Sequence, residues 1–213
     1  MPPSILRIDE TKEVETLLAR AAQVVLFGGV VAVPTESFYG LAVNALDEQA
    51  VRRLLQVKKI RDRHPILTLI SSREVLERTV LRIPPLAEDL MQAFWPGGLT
   101  LVLEASDDVP PLLTAGTGKI GVRLSGHPLA TGLALAVGNP ITGTSANVTG
   151  GAPCVTAEEV LSSLGDGVDL IVDGGRTEGG VGSTVLDVTI HPPRILREGI
   201  IGRVQLRPFI PGL

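Results

Sequence analysis

The chain has 213 residues, 44% of them hydrophobic, which is enough for one large domain with a packed core, and its 3% aromatic content makes that core aliphatic. A single cysteine excludes an intrachain disulfide framework and a cysteine-rich zinc site, and a formal net charge of −4 argues against wholesale coating of nucleic acid. The start MPPSILRIDETKE has no signal-like apolar core and no 18-residue apolar run occurs, so a reducing cytoplasm, with no membrane contact, is expected.

In chain order, Thr11 is placed to cap a helix whose apolar positions Val14, Leu17, Leu18, Ala21 and Val25 recur every three to four residues, with Gly28 and Gly29 as its stop. VVAV (30–33) reads as a short buried strand broken by Pro34. Asp47 starts a second helix with Ala50, Val51, Leu54 and Val57 on one face and Lys58 at its end. ILTLI (66–70) is a strand, two helical patterns cover 72–80 and 85–94, and WPGG punctuates the chain. LTLVLEA (99–105) and KIGVRL (119–124) are strands. HPLATGLALAVG is a helix with a glycine stop, and residues 140–142 form a strand leading into a polar loop. Thr156 caps the helix AEEVLSSLG, and VDLIVDGG, STVLDVTI and RILREG supply further strands. The alternation predicts an α/β domain with a mixed sheet, its motif-bearing core at about 10–200 and residues 201–213 a short add-on.

Familiar signatures fail on context. Gly116, Gly118 and Gly121 fit G-x-G-x-x-G but precede a strand instead of opening a helix, and there is no G-x-x-x-x-G-K-[ST]. His64, His127 and His191 each stand before a proline without metal-ligand spacing. Cys154 has no evident basic partner and reads as a packing residue.

Five polar clusters remain, each at the edge of an apolar strand. PTESFYGL (34–41) offers Thr35, Glu36 and Tyr39. VKKIRDRHP gathers cations, and residues 52–63 as a whole carry a net +5, which reads as a local anion site or, more plainly, as a solvated basic helix face. GVRL places Arg123 within an apolar run, where a charge needs a partner or a ligand. PITGTSANVTGG packs hydroxyls, an amide and glycines without a charge. Ser183 and Thr184 precede a strand, and Arg197 of ILREG interrupts another. Singly, each has an ordinary structural reading as a turn, a capped loop or half of an ion pair. Together they predict one cleft at strand ends, in which hydroxyls and backbone N–H groups approach phosphate oxygens while Lys and Arg neutralise charge.

As an ordered set, these clusters resemble the YrdC-type threonylcarbamoyl-AMP synthases. PTESFYGL is similar to PTET-x-YGL, LLQVKKIRDRHPI to a helix-K-x-R-…-P-L segment, FWPGGLTLVL to FWPG-x-LTLVL, GVRLSGHP to VR-x-P-x-HP, GTSANVTG to SAN-x-SG, and STVLDVT with ILREG to the closing STV and LR-x-G. The resemblance implies a twisted mixed parallel/antiparallel sheet with flanking helices around a concave cationic cavity. It implies a nucleotidyltransferase that joins L-threonine, bicarbonate and ATP into threonylcarbamoyl-AMP with release of pyrophosphate. The product would feed modification of adenosine 37 in transfer RNA through downstream threonylcarbamoyl-transferase proteins. Thr35, Tyr39, Arg123, Ser145 and Ser183 would then serve threonine, and Lys58, Arg61, His64, Asn147, Thr156 and Arg197 the nucleotide, with Mg²⁺ arriving on ATP.

Three departures stand out. Counting the K-x-R segment from Lys58 reaches Pro65 but puts Ile60 in the arginine slot, whereas counting from Lys59 gives Arg61 that slot with the spacing one residue short. Leu69 stands where many members have histidine, and Gly182 where a glutamate is common. These changes are similar to the YciO-like branch, for which the alternative function is a double-stranded RNA or tRNA-binding module. A carbamoyl-transfer role like that of the hydrogenase-maturation protein fits less well, because its cysteine-rich part has no counterpart here. The larger two-domain synthases carry a C-terminal extension, so the short, single-domain form is expected.

Overall fold

The computed structural model describes residues 3–8, 14–60 and 64–212. The first half runs β1 (Ser4–Arg7), α1 (Val14–Leu26), β2 (Val31–Pro34), β3 (Tyr39–Ala42), α2 (Glu48–Val57), β4 (Thr68–Ile70), α3 (Arg73–Thr79), α4 (Pro85–Phe94) and β5 (Leu99–Glu104). The second runs β6 (Lys119–Leu124), α5 (Pro128–Val137), β7 (Ile141–Thr142), β8 (Thr144–Ser145), α6 (Ala157–Leu164), β9 (Leu170–Asp173), β10 (Thr184–Asp187), β11 (Arg194–Arg197) and α7 (Arg203–Leu206).

Local chemistry sets most of these boundaries. The Asp47 carboxylate accepts from the Gln49 and Ala50 N–H groups, Ser72 Oγ from Val75 N–H and Thr156 Oγ1 from Glu159 N–H, each satisfying donors that a helix start leaves open. Gly138 ends α5 at φ 73°, a left-handed cap that a side chain would resist. The Thr11 cap lies outside the described residues. Pro34 does not break β2. It is the last paired residue, opposite Tyr39, where the strand gives way to the 35–38 turn.

The α/β class and mixed pairing are as expected, but the strands divide between two sheets. One has the order β1-β9-β2-β3-β8, with β1, β9 and β2 parallel and β3 antiparallel to both β2 and β8. The other has the order β11-β10-β5-β6-β4-β7, in which β10 runs parallel to β5 and β4 parallel to β6. Strands β1, β3 and β8 add to those expected from the sequence. In β1 only Leu6 is buried, while β3 is wholly buried, so neither shows the alternation that marks a half-exposed strand.

The core is aliphatic and lies in two clusters. Helices α1 and α5 pack through Leu18, Ala21, Ala22 and Val25 against Ala130, Leu133, Ala134 and Val137, covering Val31, Val33 and Val172 of the first sheet. The larger cluster joins both sheets to α2, α3, α4 and α6. Residues beyond 200 contribute more than an add-on would. Leu206 and Ile210 are buried in that cluster, and the Phe209 ring meets Phe94 edge to face at 5.5 Å. Burying two such aliphatic side chains contributes about 1.5–3 kcal/mol each.

This topology puts distant segments at one place. Gly40 pairs with Ser145, Leu69 with Arg123, and Val185 with Arg197. The end of β2, the start of β3, the end of β6, the start of β10 and the end of β11 therefore open on the same hollow.

Candidate active site

That hollow has a volume of about 360 Å³, within the range of about 300–1,000 Å³ usual for small-molecule sites. Nine of the expected site residues line it: Thr35, Tyr39, Lys58, His64, Arg123, Ser145, Asn147, Ser183 and Arg197. None of its lining residues is Asp or Glu, so the described wall carries cations unopposed at its surface. Such a wall suits an anion.

Two guanidinium groups are held rigidly. Arg123 donates Nε to the Gly97 carbonyl at 2.7 Å and Nη2 to the carboxylate of Glu36, and it is buried. Arg197 donates Nε and Nη2 to the Ser183 carbonyl at 3.1 and 2.8 Å, and Nη2 also to Ser183 Oγ at 3.1 Å. Burial, and then the charge of Arg123, lower the pKa of Arg197, the mark of two cations kept close without a counterion between them. Glu36 is held below the usual carboxylate range. Burial works to raise it, but the Arg123 charge and N–H donors from its own backbone, Arg123 and Gly126 outweigh that.

Lys58 caps α2 and turns its side chain under the 145–149 loop. Its ammonium donates to the carbonyls of Ser145 and Asn147, while Thr149 N and Oγ1 return to the Lys58 carbonyl at 3.0 and 2.8 Å. Asn147 Nδ2 donates to Val148 O and Gly151 O, both at 2.8 Å, which fixes the amide orientation. Its buried Oδ1 is left as an acceptor with no hydrogen-bond partner among the described residues.

Tracing hydroxyl protons narrows which hydroxyls are placed to donate to a phosphate. Thr35 donates to Phe38 O at 2.7 Å, Ser37 to Val181 O at 2.8 Å, Tyr39 to Gly175 O at 2.7 Å, and Thr149 to Lys58 O. A hydroxyl whose only proton is spent offers lone pairs, so these groups receive a donor such as an ammonium and cannot donate to a phosphate oxygen. Donors toward an anion include the guanidinium edges and the Oγ of Ser145 and Oγ1 of Thr144, for neither of which a partner is found among the described residues. Tyr39 is fully buried and backs the wall instead of entering the hollow.

One expected residue is not brought in: Thr156 is the N-cap of α6 and does not line the hollow. Arg61 lies outside the described residues. The basic segment is also weaker than its charge count. Arg52 pairs with Glu48 at 2.6 Å and Arg53 with Asp169 at 2.7 Å, which spends two cations on scaffold contacts. Ile60, Leu69 and Gly182, the three departures, all line the hollow. Cys154 is buried among apolar residues, as its packing role required. The residue that sequence reasoning left without a role is Glu36; its only signal was a carboxylate beside strand-end residues.

Comparison with known proteins agrees with this geometry. The sequence model of the Sua5_yciO_yrdC family, described as telomere recombination, matches residues 23–199. The chain is 39% identical to the threonylcarbamoyl-AMP synthase of Pyrococcus abyssi over 97% of its own length and 62% of that protein, and 38% identical to that of Bacillus subtilis over 95% and 60%. It thus spans about three fifths of the length of these curated relatives. Among solved structures, P. abyssi Sua5 complexed with L-threonine superimposes with a TM-score of 0.91 at 38% identity, covering 98% of this chain and 60% of that one. Escherichia coli YciO superimposes at 0.82 and 30%, covering 97% of this chain and 98% of that one. The chain belongs to the Sua5/YciO/YrdC family.

Proposed function

We propose that this protein is a nucleotidyltransferase that makes threonylcarbamoyl-AMP from L-threonine, bicarbonate and ATP, releasing pyrophosphate. The observation that carries this is the division of labour in the hollow: Arg123 and Arg197 face it without a lining carboxylate, beside hydroxyls whose lone pairs alone are free. The first half suits the carboxylate of an amino acid and the phosphates of a nucleotide, and the second half suits an amine. Threonine has both a carboxylate and an amine. The names of the P. abyssi and B. subtilis relatives, and the threonine bound to P. abyssi Sua5, support the same reading.

The reaction needs no nucleophilic side chain. The threonine amine and bicarbonate give a carbamate and water, a carbamate oxygen attacks the α-phosphorus, and pyrophosphate leaves. The protein's part is to bring the two anions together and offset their charge. Arg123 would hold the threonine carboxylate as a fork, a geometry lysine does not offer. Arg197, three strands along the same sheet, would meet the nucleotide. Thr35 Oγ1 would accept from the amine, and Lys58 would act through the 145–149 loop it anchors.

The lining does not fit a protein-held Mg²⁺. It has no carboxylate, and among the described residues no group of three or more His, Cys, Asp or Glu side chains could hold a metal. Magnesium accompanying ATP would be held by the phosphates, as part of the substrate.

The hollow draws on both sheets, which supports reading residues 1–213 as one working domain. Among the described residues no helix is long and apolar enough to cross a membrane. Downstream transferases would take the adenylate and pass its threonylcarbamoyl group to transfer RNA, with AMP as the leaving group. The RNA-binding alternative draws its main support from the basic segment, two of whose arginines are ion-paired on the scaffold. The test is to mix the purified protein with ATP, threonine and bicarbonate and follow pyrophosphate, with serine and glycine in parallel. Pyrophosphate that requires threonine supports the synthase. RNA binding with a steep salt dependence, no response to ATP and no pyrophosphate would replace it.

A further inference from the structure

Arg123 is held on one edge only. A guanidinium presents two forks, one from Nε and Nη2 and one from Nη1 and Nη2. Gly97 O and the Glu36 carboxylate take the first, and no described group takes Nη1. Glu36 itself is fixed from three directions, since Oε2 also accepts from Ser125 Oγ at 2.9 Å and Oε1 from Gly126 N–H at 2.6 Å. Ser125 is buried, and its Oγ receives His127 N–H at 3.2 Å, so the clamp is continuous with the start of α5. Glu36 does not line the hollow, and Arg123 does.

We propose that Glu36 is a positioning residue for substrate capture: with the Gly97 carbonyl it clamps the inner edge of Arg123 and leaves the outer Nη1/Nη2 edge as a fixed fork for the ligand carboxylate. The role deepens the synthase reading, on which only its kinetic test depends. A free arginine side chain loses rotamer entropy when it is ordered. The clamp meets that cost during folding, before a substrate arrives. It also places one negative charge behind Arg123, on the side away from the hollow, which lets Arg123 and Arg197 stand near each other. The low pKa of Glu36 keeps that charge in place at neutral pH.

Charge and position make opposite demands on a variant. Removing the charge alone strengthens attraction of Arg123 for an anion, whereas releasing the guanidinium weakens capture. Glu36→Asp separates the two, because it keeps the charge and withdraws the carboxylate by one methylene. With positioning, Glu36→Asp raises the KM for threonine about tenfold or more, leaves kcat within about threefold, and adds less than about threefold in an Arg123→Lys background, which turns over but has no fork to position. Glu36→Gln, with its length kept, recovers part of the loss. Nitrogen-15 spectra of the arginine side chains give a readout that needs no turnover: the Arg123 Nε–H signal is protected in the natural chain and exchanges with solvent in Glu36→Asp. A threonine KM unchanged or lowered in Glu36→Asp, losses additive with Arg123→Lys, or an unchanged Nε–H signal each overturn the proposal. If the natural protein releases no threonine-dependent pyrophosphate, the synthase reading fails and the nitrogen-15 result alone decides the role of Glu36.

Discussion

Lys58 and Asn147 are joined across 89 residues of sequence by an ammonium-to-carbonyl bond of 3.0 Å, with Ser145 O as the second acceptor. The polar loop 145–149 is thus tied to the end of α2, and its shape depends on Lys58 being charged. Burial moves the Lys58 pKa from 10.5 down to about 8, against a small opposing effect of Cys154. The unfolded chain keeps this proton up to 10.5, so the cost of burying the charge is fully present below pH 8 and is relieved between about 8 and 10.5. In that window the folded protein loses the proton and the loop loses its charged anchor. Binding of a non-hydrolysable ATP analogue is expected to weaken above pH 8 with one inflection. Lys58→Met binds weakly throughout and lacks the inflection. Titration calorimetry across pH 6.5 to 9.5 checks both.

Arg123 sits opposite Leu69 in the β4–β6 register with one guanidinium edge clamped, so its reach into the hollow is short and directed. Arg123→Ala is expected to abolish threonine-dependent pyrophosphate release. Arg123→Lys keeps the charge without the fork and lowers kcat/KM for threonine by about 100-fold, close to 2.7 kcal/mol at 1.36 kcal/mol per tenfold. Initial-rate kinetics of both variants decide it, and turnover at the natural level in either removes the carboxylate assignment.

Thr156 separates a residue's local role from the one implied by family resemblance. Its hydroxyl accepts from Glu159 N–H at 3.2 Å, and Glu159 returns to Val155 N–H at 2.7 Å, a reciprocal closure of the helix start. Thr156→Ala is expected to lower stability by about 1 kcal/mol in urea unfolding. Because Thr156 does not line the hollow, the KM for ATP stays within about twofold. A larger rise in KM at unchanged stability restores it to the nucleotide site.

Much of this architecture was legible because its signals are local. The caps at Asp47, Ser72 and Thr156 and the stop at Gly138 are short-range chemistry, and the spans they set agree with the helices. The clustering of Thr35, Arg123, Ser145, Ser183 and Arg197 was also legible, since polar residues at the ends of apolar runs have few other places to go. What a linear reading misses is pairing. That Arg52 and Arg53 are neutralised by Glu48 and Asp169 depends in the second case on a partner 116 residues away. The sense of each hydroxyl bond, and hence whether Thr35 offers a proton or a lone pair, is fixed by the carbonyl folded against it. Glu36 passed without a role for the same reason, because its partners Arg123, Ser125 and Gly126 lie 87 or more residues on.

Gly199 offers the most direct perturbation of the second guanidinium. A β-carbon there would fall on the Gly182 carbonyl and within 2.6 Å of Ser183 O, both backbone atoms that cannot move aside alone. The same stretch is laced to β10, since Gly199 N–H and Ile201 N–H donate to Thr184 Oγ1 at 2.9 and 3.1 Å, and Thr184 Oγ1 donates to Ile201 O at 2.6 Å. Gly199→Ala must therefore push the chain beyond β11 away from residues 182–183, where the Ser183 carbonyl takes both bonds from Arg197. The expected result is a loss of about 1–3 kcal/mol in stability, the usual cost of overpacking, together with a rise in the KM for ATP that exceeds any rise for threonine. Leu206→Ala provides the control. It removes a buried side chain from the same terminal region, at a cost of about 2–5 kcal/mol, without touching the Ser183–Arg197 contact. If Gly199→Ala and Leu206→Ala change the two KM values alike at matched stability, the glycine serves folding only, and Arg197 loses its link to the nucleotide.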